Sequence, residues 1–156
     1  MSEDAGPEPC LPEAAAWAVE SWKDWASSDA LEPLAIERTV YCDACGYAGT
    51  LDLYARVKGL LTVLDWKSGK AIYPEAFLQN VAYRHAAKRL GMLSAQGLIV
   101  RLPKLVDDPR WEVMPVPATL SIEDFLAAMR LWRWLRRMEG KPTGDSRGGS
   151  GYQPAA

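Results

Sequence analysis

The chain has 156 residues, a net charge of −2 at pH 7 and 24% charged residues, which fits one globular domain with its own core. The nearly balanced charge excludes a generally basic nucleic-acid coat, so any DNA contact must come from a local patch. Three cysteines, an odd number without a disulfide pattern, indicate a reducing compartment.

Residues 1–10 are acidic and contain proline, with no basic segment ahead of an apolar run. We predict a flexible N-terminus and no signal peptide. No apolar stretch approaches the length of a membrane span, so we expect a soluble, cytoplasmic protein without membrane contact.

The first predicted elements are a helix from Glu13 to about Ser27 and a strand over residues 36–41. Trp17, Trp22 and Trp25 recur in the helix near helical spacing. Core packing is the favoured interpretation of these tryptophans, and base stacking is the alternative.

The segment from Cys42 to Gly46 predicts a turn between the first two strands. Its two cysteines, Cys42 and Cys45, have the spacing of half a zinc site, but the other half is not apparent in the sequence. We therefore favour a tight turn without a metal. His85, the single histidine, is assigned as a half-buried helix residue and not as a ligand.

Residues 49–57 alternate with period two, which predicts a strand with one apolar face: Leu51, Leu53, Ala55 and Val57. Lys58 and Gly59 predict a turn into the next strand, antiparallel to the first. The pairing would bring Asp52 close to Asp65. Two carboxylates at close range repel unless a cation lies between them, and Mg²⁺ prefers such oxygen ligands.

The strand from residue 60 to 67 is apolar on both faces until its exposed end, where Asp65 and Lys67 share one face. Because burying an acid or a lysine without a partner is costly, this pair predicts a functional site. A helix follows, with Pro74 in its first turn and Gly91 past its end. Gln79 and Tyr83, four positions apart, lie on one face of that helix.

Three segments, residues 49–52 (Gly-Thr-Leu-Asp), 65–67 (Asp-Trp-Lys) and 79–83 (Gln-x-x-x-Tyr), resemble the motifs of the PD-(D/E)XK nuclease superfamily, in its RecB-like exonuclease branch. The resemblance runs from about residue 37 to 83. It implies an α/β fold with a restriction-endonuclease-like core, in which helices flank a central mixed sheet. The nuclease domain would span residues 11–139.

The resemblance also implies a mechanism. Asp52, Asp65 and the backbone carbonyl of Trp66 would hold Mg²⁺ or Mn²⁺. Lys67 would position or deprotonate the attacking water, and Gln79 and Tyr83 would orient Lys67 or contact the DNA backbone. The implied reaction is hydrolysis of a phosphodiester bond that leaves a 5′-phosphate.

The chain departs from the family in one ligand. Family members often carry a histidine ahead of the first strand, and this chain has none there. Glu20 or Glu37 can take its place. Some relatives hold an iron–sulfur cluster on four cysteines, and with three cysteines we expect none here.

The remaining elements are a strand over residues 95–102, an edge strand over 110–116 that contains Pro115, and a helix capped by Ser121. One stripe of that helix is apolar: Phe125, Ala128, Leu131, Leu135 and Met138. The helix forms either a basic, aromatic DNA-facing surface or a core-docked helix with solvated arginines. Candidate DNA contacts are Lys70, Arg84, Lys88, Arg130, Arg133 and Arg137. Residues 140–156 are predicted to be a disordered tail.

The expected function is that of a metal-dependent DNA exonuclease, similar to stand-alone phage nucleases of recombination or DNA processing, acting in the host cytoplasm. A structure-specific or flap endonuclease and a catalytically silent DNA-binding module are the alternatives. Expected partners are DNA, a recombination or single-strand-binding protein, and a second copy of the chain.

Overall fold

The computed structural model describes residues 13–105 and 107–143. The predicted flexible N-terminus and residues 144–156 of the predicted tail lie outside this range. The elements follow in the predicted order: α1 (Glu13–Ser28), β1 (Glu32–Cys42), β2 (Tyr47–Val57), β3 (Leu60–Ser68), α2 (Pro74–Arg89), β4 (Gln96–Leu102), β5 (Glu112–Pro115) and α3 (Ile122–Met138). None of these helices is long and apolar enough to cross a membrane.

The strands form one mixed sheet in the order β1-β2-β3-β4-β5. The first three strands are antiparallel, β4 runs parallel to β3, and β5 closes the edge antiparallel to β4. The β2–β3 turn has positive φ at both Lys58 (49°) and Gly59 (80°), as a two-residue hairpin of this twist requires. The predicted hairpin and the predicted edge strand are confirmed.

Helices cover both faces of the sheet. α1 packs through Trp25 against Leu64 and Val100 on one face, and α2 packs through Ala86 and Ala87 against the other. α2 is the crossover that the parallel β3–β4 pair needs. The prediction that β3 is buried on both faces is therefore confirmed.

The alternation of β2 breaks at Asp52. Leu53 packs on the α1 face, whereas Leu51 packs with Tyr54 on the α2 face, so the predicted single apolar face of β2 is wrong at Leu51. The paired residues of β2 and β3 begin at Leu53 on the β2 side. Glu37, on the neighbouring strand β1, has a φ of 48°. The local irregularity turns the side chain of Asp52 towards β3.

The tryptophans of α1 do not share one role. Trp25 is fully buried and meets Trp66 edge-on at 5.4 Å between ring centroids, which confirms core packing for this residue. Trp17 lies beneath the guanidinium of Arg110, and Trp22 is 36% exposed. Core packing therefore describes Trp25 and not Trp22.

α3 packs on α2, and none of its residues is fully buried. Leu131, Leu135 and Met138 are 58%, 45% and 71% exposed, so the core-docked alternative is wrong for this end of the apolar stripe, and the DNA-facing alternative stays a prediction. The helix docks through Phe125, at the start of the stripe, and through Arg133 on a neighbouring face, and both side chains are half-buried. Its predicted start is confirmed.

Contacts extend past the end of α3. The N–H of Lys141 donates to the carbonyl of Arg136 (2.9 Å), and the Arg136 Nε donates to the carbonyl of Pro142 (3.0 Å). The first residues of the predicted tail are thus held against the helix.

Candidate active site

Two carboxylates lie side by side between β2 and β3. Asp52 Oδ2 accepts the backbone N–H of Trp66 at 2.8 Å. Asp65 is 2% exposed, so the expectation that it stands at an exposed strand end is wrong. Burial raises the pKa of Asp65; the Lys67 ammonium opposes this shift, and the neighbouring Asp52 adds to it.

Lys67 links the carboxylates to α2. Its Nζ lies 2.5 Å from Asp65 Oδ2 and donates to Gln79 Oε1 at 2.9 Å. The Gln79 amide in turn donates from Nε2 to the Tyr83 hydroxyl at 2.8 Å. One series of polar contacts therefore joins Asp65, Lys67, Gln79 and Tyr83. Burial raises the pKa of Tyr83, so its hydroxyl keeps its proton at neutral pH.

Gly49 makes room for the end of this series. A Cβ at Gly49 would lie 2.5 Å from Cε1 of the Tyr83 ring. No side chain fits at that distance, which explains in steric terms why the first motif has glycine at position 49.

Asn80 fixes the position of α2 over the sheet. It is fully buried, and its Nδ2 donates to the carbonyl of Val63 at 3.1 Å. A Cβ at Gly97 would lie 2.0 Å from Asn80 Oδ1, so β4 approaches the helix closely only because residue 97 is glycine. Asn80 adjoins Gln79 and thereby sets its place above Lys67. Asn80 was not among the predicted site residues, although an amide among apolar helix positions is a usable signal.

Arg101 is a second buried polar residue that the sequence analysis missed. It lies beside Lys67 in the β3–β4 register and is 3% exposed. Its Nε pairs with Glu112 at 3.0 Å, and its Nη1 donates to the carbonyl of Gly69 at 3.4 Å. Arg101 thus holds the segment that follows Lys67. A charged residue inside an otherwise apolar strand was the available signal.

A cleft of about 860 Å³ opens beside Lys67 and Gln79, between α2 and α3. Its α3 wall carries aromatic and apolar side chains, including Phe125 and Trp132. The guanidinium of Arg136 lies 5.3 Å from the centroid of the Trp132 ring. A stacking surface with a cation on it suits the bases and phosphates of a nucleic acid.

The candidate DNA-contact residues have different environments. Lys70, Lys88, Arg130 and Arg137 are exposed. Arg84 is half-buried and donates to Ser94. Arg133 differs again, because its Nη2 donates to the carbonyl of Gly46 at 2.6 Å and so holds α3 on the β1–β2 turn.

The two substitute ligands do not join the carboxylate pair. Glu20 is exposed on α1, which covers the face opposite Asp65. Glu37 is exposed on β1, between the residues that pair with Leu51 and Leu53. Within residues 13–105 and 107–143, no acidic, histidine or cysteine ligand atom forms a group with Asp52 and Asp65 in which all atoms lie within 4.8 Å of one another.

A different ligand group lies at the β1–β2 turn. The carbonyl of Cys42 accepts the N–H of Cys45 (3.2 Å) and of Gly46 (2.8 Å), which confirms the predicted tight turn. Cys42, Cys45 and His85 each place one ligand atom within 4.8 Å of the other two. The interpretation that this turn lacks a further ligand is therefore wrong, because α2 brings His85 to it.

No protein-family model matches the chain, and no curated protein does. Among solved structures, the chain is similar to one titled "Crystal structure of SSO0001", with 13% identity and a TM-score of 0.44. The match covers 82% of this chain and 59% of that one, so the chain spans less than two thirds of that protein.

Proposed function

We propose that the chain is a metal-dependent DNA exonuclease of the PD-(D/E)XK superfamily, with a restriction-endonuclease-like core of the RecB-like type. The observation that carries the proposal is the series of contacts from the Asp52–Asp65 pair through Lys67 and Gln79 to Tyr83. The order of the strands and helices around this series supports it.

The residues of the pair fit Mg²⁺ or Mn²⁺. Asp65 Oδ2 is buried beside the Lys67 ammonium, and Asp65 also lies near a second carboxylate, Asp52, so a metal ion between the two carboxylates would offset their repulsion. Asp52, Asp65 and the Trp66 carbonyl would supply an all-oxygen donor set, which suits these hard ions. When bound, the ion would polarise the scissile phosphate.

Lys67 is the residue placed to act on the reacting groups. An ammonium has three N–H donors. One is directed to Gln79 Oε1 and one faces Asp65 Oδ2, which leaves a third for a phosphate oxygen or the attacking water. The positive charge would stabilise the negative charge that develops on the phosphate. Gln79, held by Tyr83, keeps the ammonium in place.

The cleft beside Lys67 supplies room for a DNA strand. Trp132 would stack on a base, and the exposed Lys70 just past β3 would contact a phosphate. The exposed apolar side chains of α3, Leu131, Leu135 and Met138, suit contact with a recombination or single-strand-binding protein or with a second copy of the chain. We therefore propose a role in DNA recombination or processing of the phage type.

The rival hypothesis is a catalytically silent DNA-binding module with the same fold. A silent module has no need for the connected Lys67–Gln79–Tyr83 contacts, whereas a nuclease requires a fixed ammonium. The connected set therefore favours the enzyme.

The experiment is a gel assay on end-labelled linear and on closed circular DNA, single- and double-stranded, with Mg²⁺, Mn²⁺ or EDTA. Lys67→Ala is the inactive control, and Lys23→Ala, an exposed lysine on α1, is the matched active control. Metal-dependent loss of linear DNA alone is the expected result. Cutting of circles would indicate an endonuclease, and absence of any cutting would favour the silent module.

A further inference from the structure

We infer that Cys42, Cys45 and His85 form a zinc site that holds the β1–β2 turn on α2. One ligand atom of each residue lies within 4.8 Å of the other two. Around tetrahedral zinc, with bonds of about 2.3 Å to sulfur and about 2.0 Å to nitrogen, neighbouring ligand atoms lie about 3.5 to 3.8 Å apart. A closure of at most about 1 Å therefore converts the observed group into a coordinated one.

The donor set selects the metal. Two thiolates and an imidazole are soft or borderline ligands, which favour zinc over Mg²⁺ or Mn²⁺. Cys42 and Cys45 have the C-x₂-C spacing of zinc-binding turns, and the turn is closed by hydrogen bonds to the Cys42 carbonyl. Within residues 13–105 and 107–143, the ligand group supplies three of the four positions of the tetrahedron. The inference does not rest on the nuclease proposal, because no residue of the carboxylate pair takes part in it.

Tyr47 prepares His85 for this role. The Tyr47 hydroxyl donates to the carbonyl of Ala82 at 3.0 Å and lies 2.9 Å from His85 Nδ1. A tyrosine hydroxyl has one proton, so with that proton on Ala82 its oxygen accepts from Nδ1–H. This tautomer leaves the lone pair on Nε2, the form in which an imidazole binds a metal. Tyr47 is therefore a positioning residue for the zinc site.

The elements around the proposed zinc site indicate that the ion would stabilise the structure. α3 covers the turn, with Phe125 packed edge-on against Tyr47 at 5.0 Å and Arg133 donating to the Gly46 carbonyl. β2, which starts just past this turn, carries Asp52, and α2 carries Gln79 and Tyr83. A zinc ion here would fix β2 and α2, two of the three elements that carry the proposed active site, relative to each other.

The experiment uses the full chain in a Cys10→Ser background, so that Cys42 and Cys45 are the only thiols. The protein is purified under reducing conditions, and its zinc content is measured by mass spectrometry of the metal. Replacement by Co²⁺ adds an optical measurement, since thiolate ligands give a sulfur-to-cobalt charge-transfer band. We expect one zinc per chain and a cobalt spectrum that reports two thiolates.

Three variants assign the ligands: Cys42→Ser, Cys45→Ser and His85→Gln. Each is expected to lose stoichiometric zinc and to change the cobalt spectrum, while Asp65→Asn, the matched control in the other site, keeps both. Circular dichroism identifies the variants that remain folded, and the spectra are compared among those. Absence of zinc and cobalt binding in the folded Cys10→Ser parent would overturn the inference, as would full zinc content in all three variants.

Tyr47→Phe tests the positioning role separately. Loss of the partner that orients a ligating histidine typically lowers metal affinity about 10- to 100-fold. We expect unchanged stoichiometry with weaker binding of this size in competition against a chromophoric chelator. Unchanged affinity would contradict the assignment of Nε2 as the ligand.

Discussion

The carboxylate pair, on β2 and β3, and the cysteine–histidine group, at the β1–β2 turn and on α2, suit different metals. Asp52 and Asp65 offer hard oxygen atoms beside a lysine, whereas Cys42, Cys45 and His85 offer sulfur and nitrogen. One scaffold thus separates a site suited to chemistry from a site suited to cross-linking. The two proposed sites therefore differ in donor type more than in distance along the chain.

Asp65→Asn should have the largest effect of the substitutions at the carboxylate pair. We expect Mg²⁺ to raise the melting temperature of the wild type, and we expect Asp65→Asn to lose both this rise and detectable cleavage. Zinc content should not change. The measurements are the gel assay and thermal melting with and without Mg²⁺, with Glu13→Gln, an exposed carboxylate on α1, as the control. Wild-type turnover in Asp65→Asn would remove the site assignment.

The same substitution should stabilise the metal-free protein, and the sign follows from the raised pKa of Asp65. The folded state binds the Asp65 proton more tightly than the unfolded state, so stability falls as the pH rises from about 4 through the folded pKa. Asparagine carries no charge and escapes this loss. At pH 7 without metal we expect a higher melting temperature, by about 2–4 °C for each kcal/mol regained. A difference that stays constant from pH 4 to pH 8 would contradict the cause.

Lys67→Ala should lower turnover without removing metal binding. Removal of one donor that stabilises developing charge typically costs about 10²- to 10³-fold in kcat. We expect a loss of at least this size with Mg²⁺ binding retained, measured by single-turnover cleavage and by calorimetry. Lys23→Ala should behave as wild type in both. Loss of metal binding along with turnover would instead assign Lys67 a structural role.

The sequence predicted that Asp52 and Asp65 lie close together because both stand on regular elements. The period of the apolar residues located β2, β3 and α2, and the turn at Lys58 and Gly59 set the hairpin that brings Asp52 to Asp65. The spacing of Gln79 and Tyr83 placed both on one helix face. Their roles in catalysis stay predictions until the assays are done.

The sulfur site was missed because its third ligand comes from a distant element. His85 is 40 positions after Cys45, and only the packing of α2 on the β1–β2 turn brings them together. The reversed face of Leu51 has a similar cause, since a local irregularity beside Glu37 leaves no mark in the apolar pattern. Composition alone did not show which face of α3 docks, because Arg133 and not an apolar residue holds the turn.

Gly97→Ala tests how closely α2, which both sites share, must approach the sheet. The added Cβ would meet the buried Asn80 amide at 2.0 Å, and that amide is held by its hydrogen bond to the carbonyl of Val63. Overpacking of this kind typically costs about 1–3 kcal/mol in the free energy of unfolding. Gly69→Ala is the matched control, since its Cβ would meet open space. Equal urea midpoints for the two variants would contradict the close approach.

Cys45→Ser should have the smallest effect on cleavage. It therefore tests whether loss of the zinc site leaves the carboxylate site active. Loss of one zinc ligand should remove zinc and lower the melting temperature, because bound metal stabilises only the folded state. The carboxylate pair and Lys67 do not contact the turn, so the folded fraction should keep its Mg²⁺-dependent turnover within a few-fold of wild type. The measurement is turnover per folded molecule at a temperature well below both melting transitions. If Cys45→Ser lost turnover as completely as Asp65→Asn, the cysteine–histidine group would belong to the catalytic machinery. The separation of the two sites by donor type would then have to be abandoned.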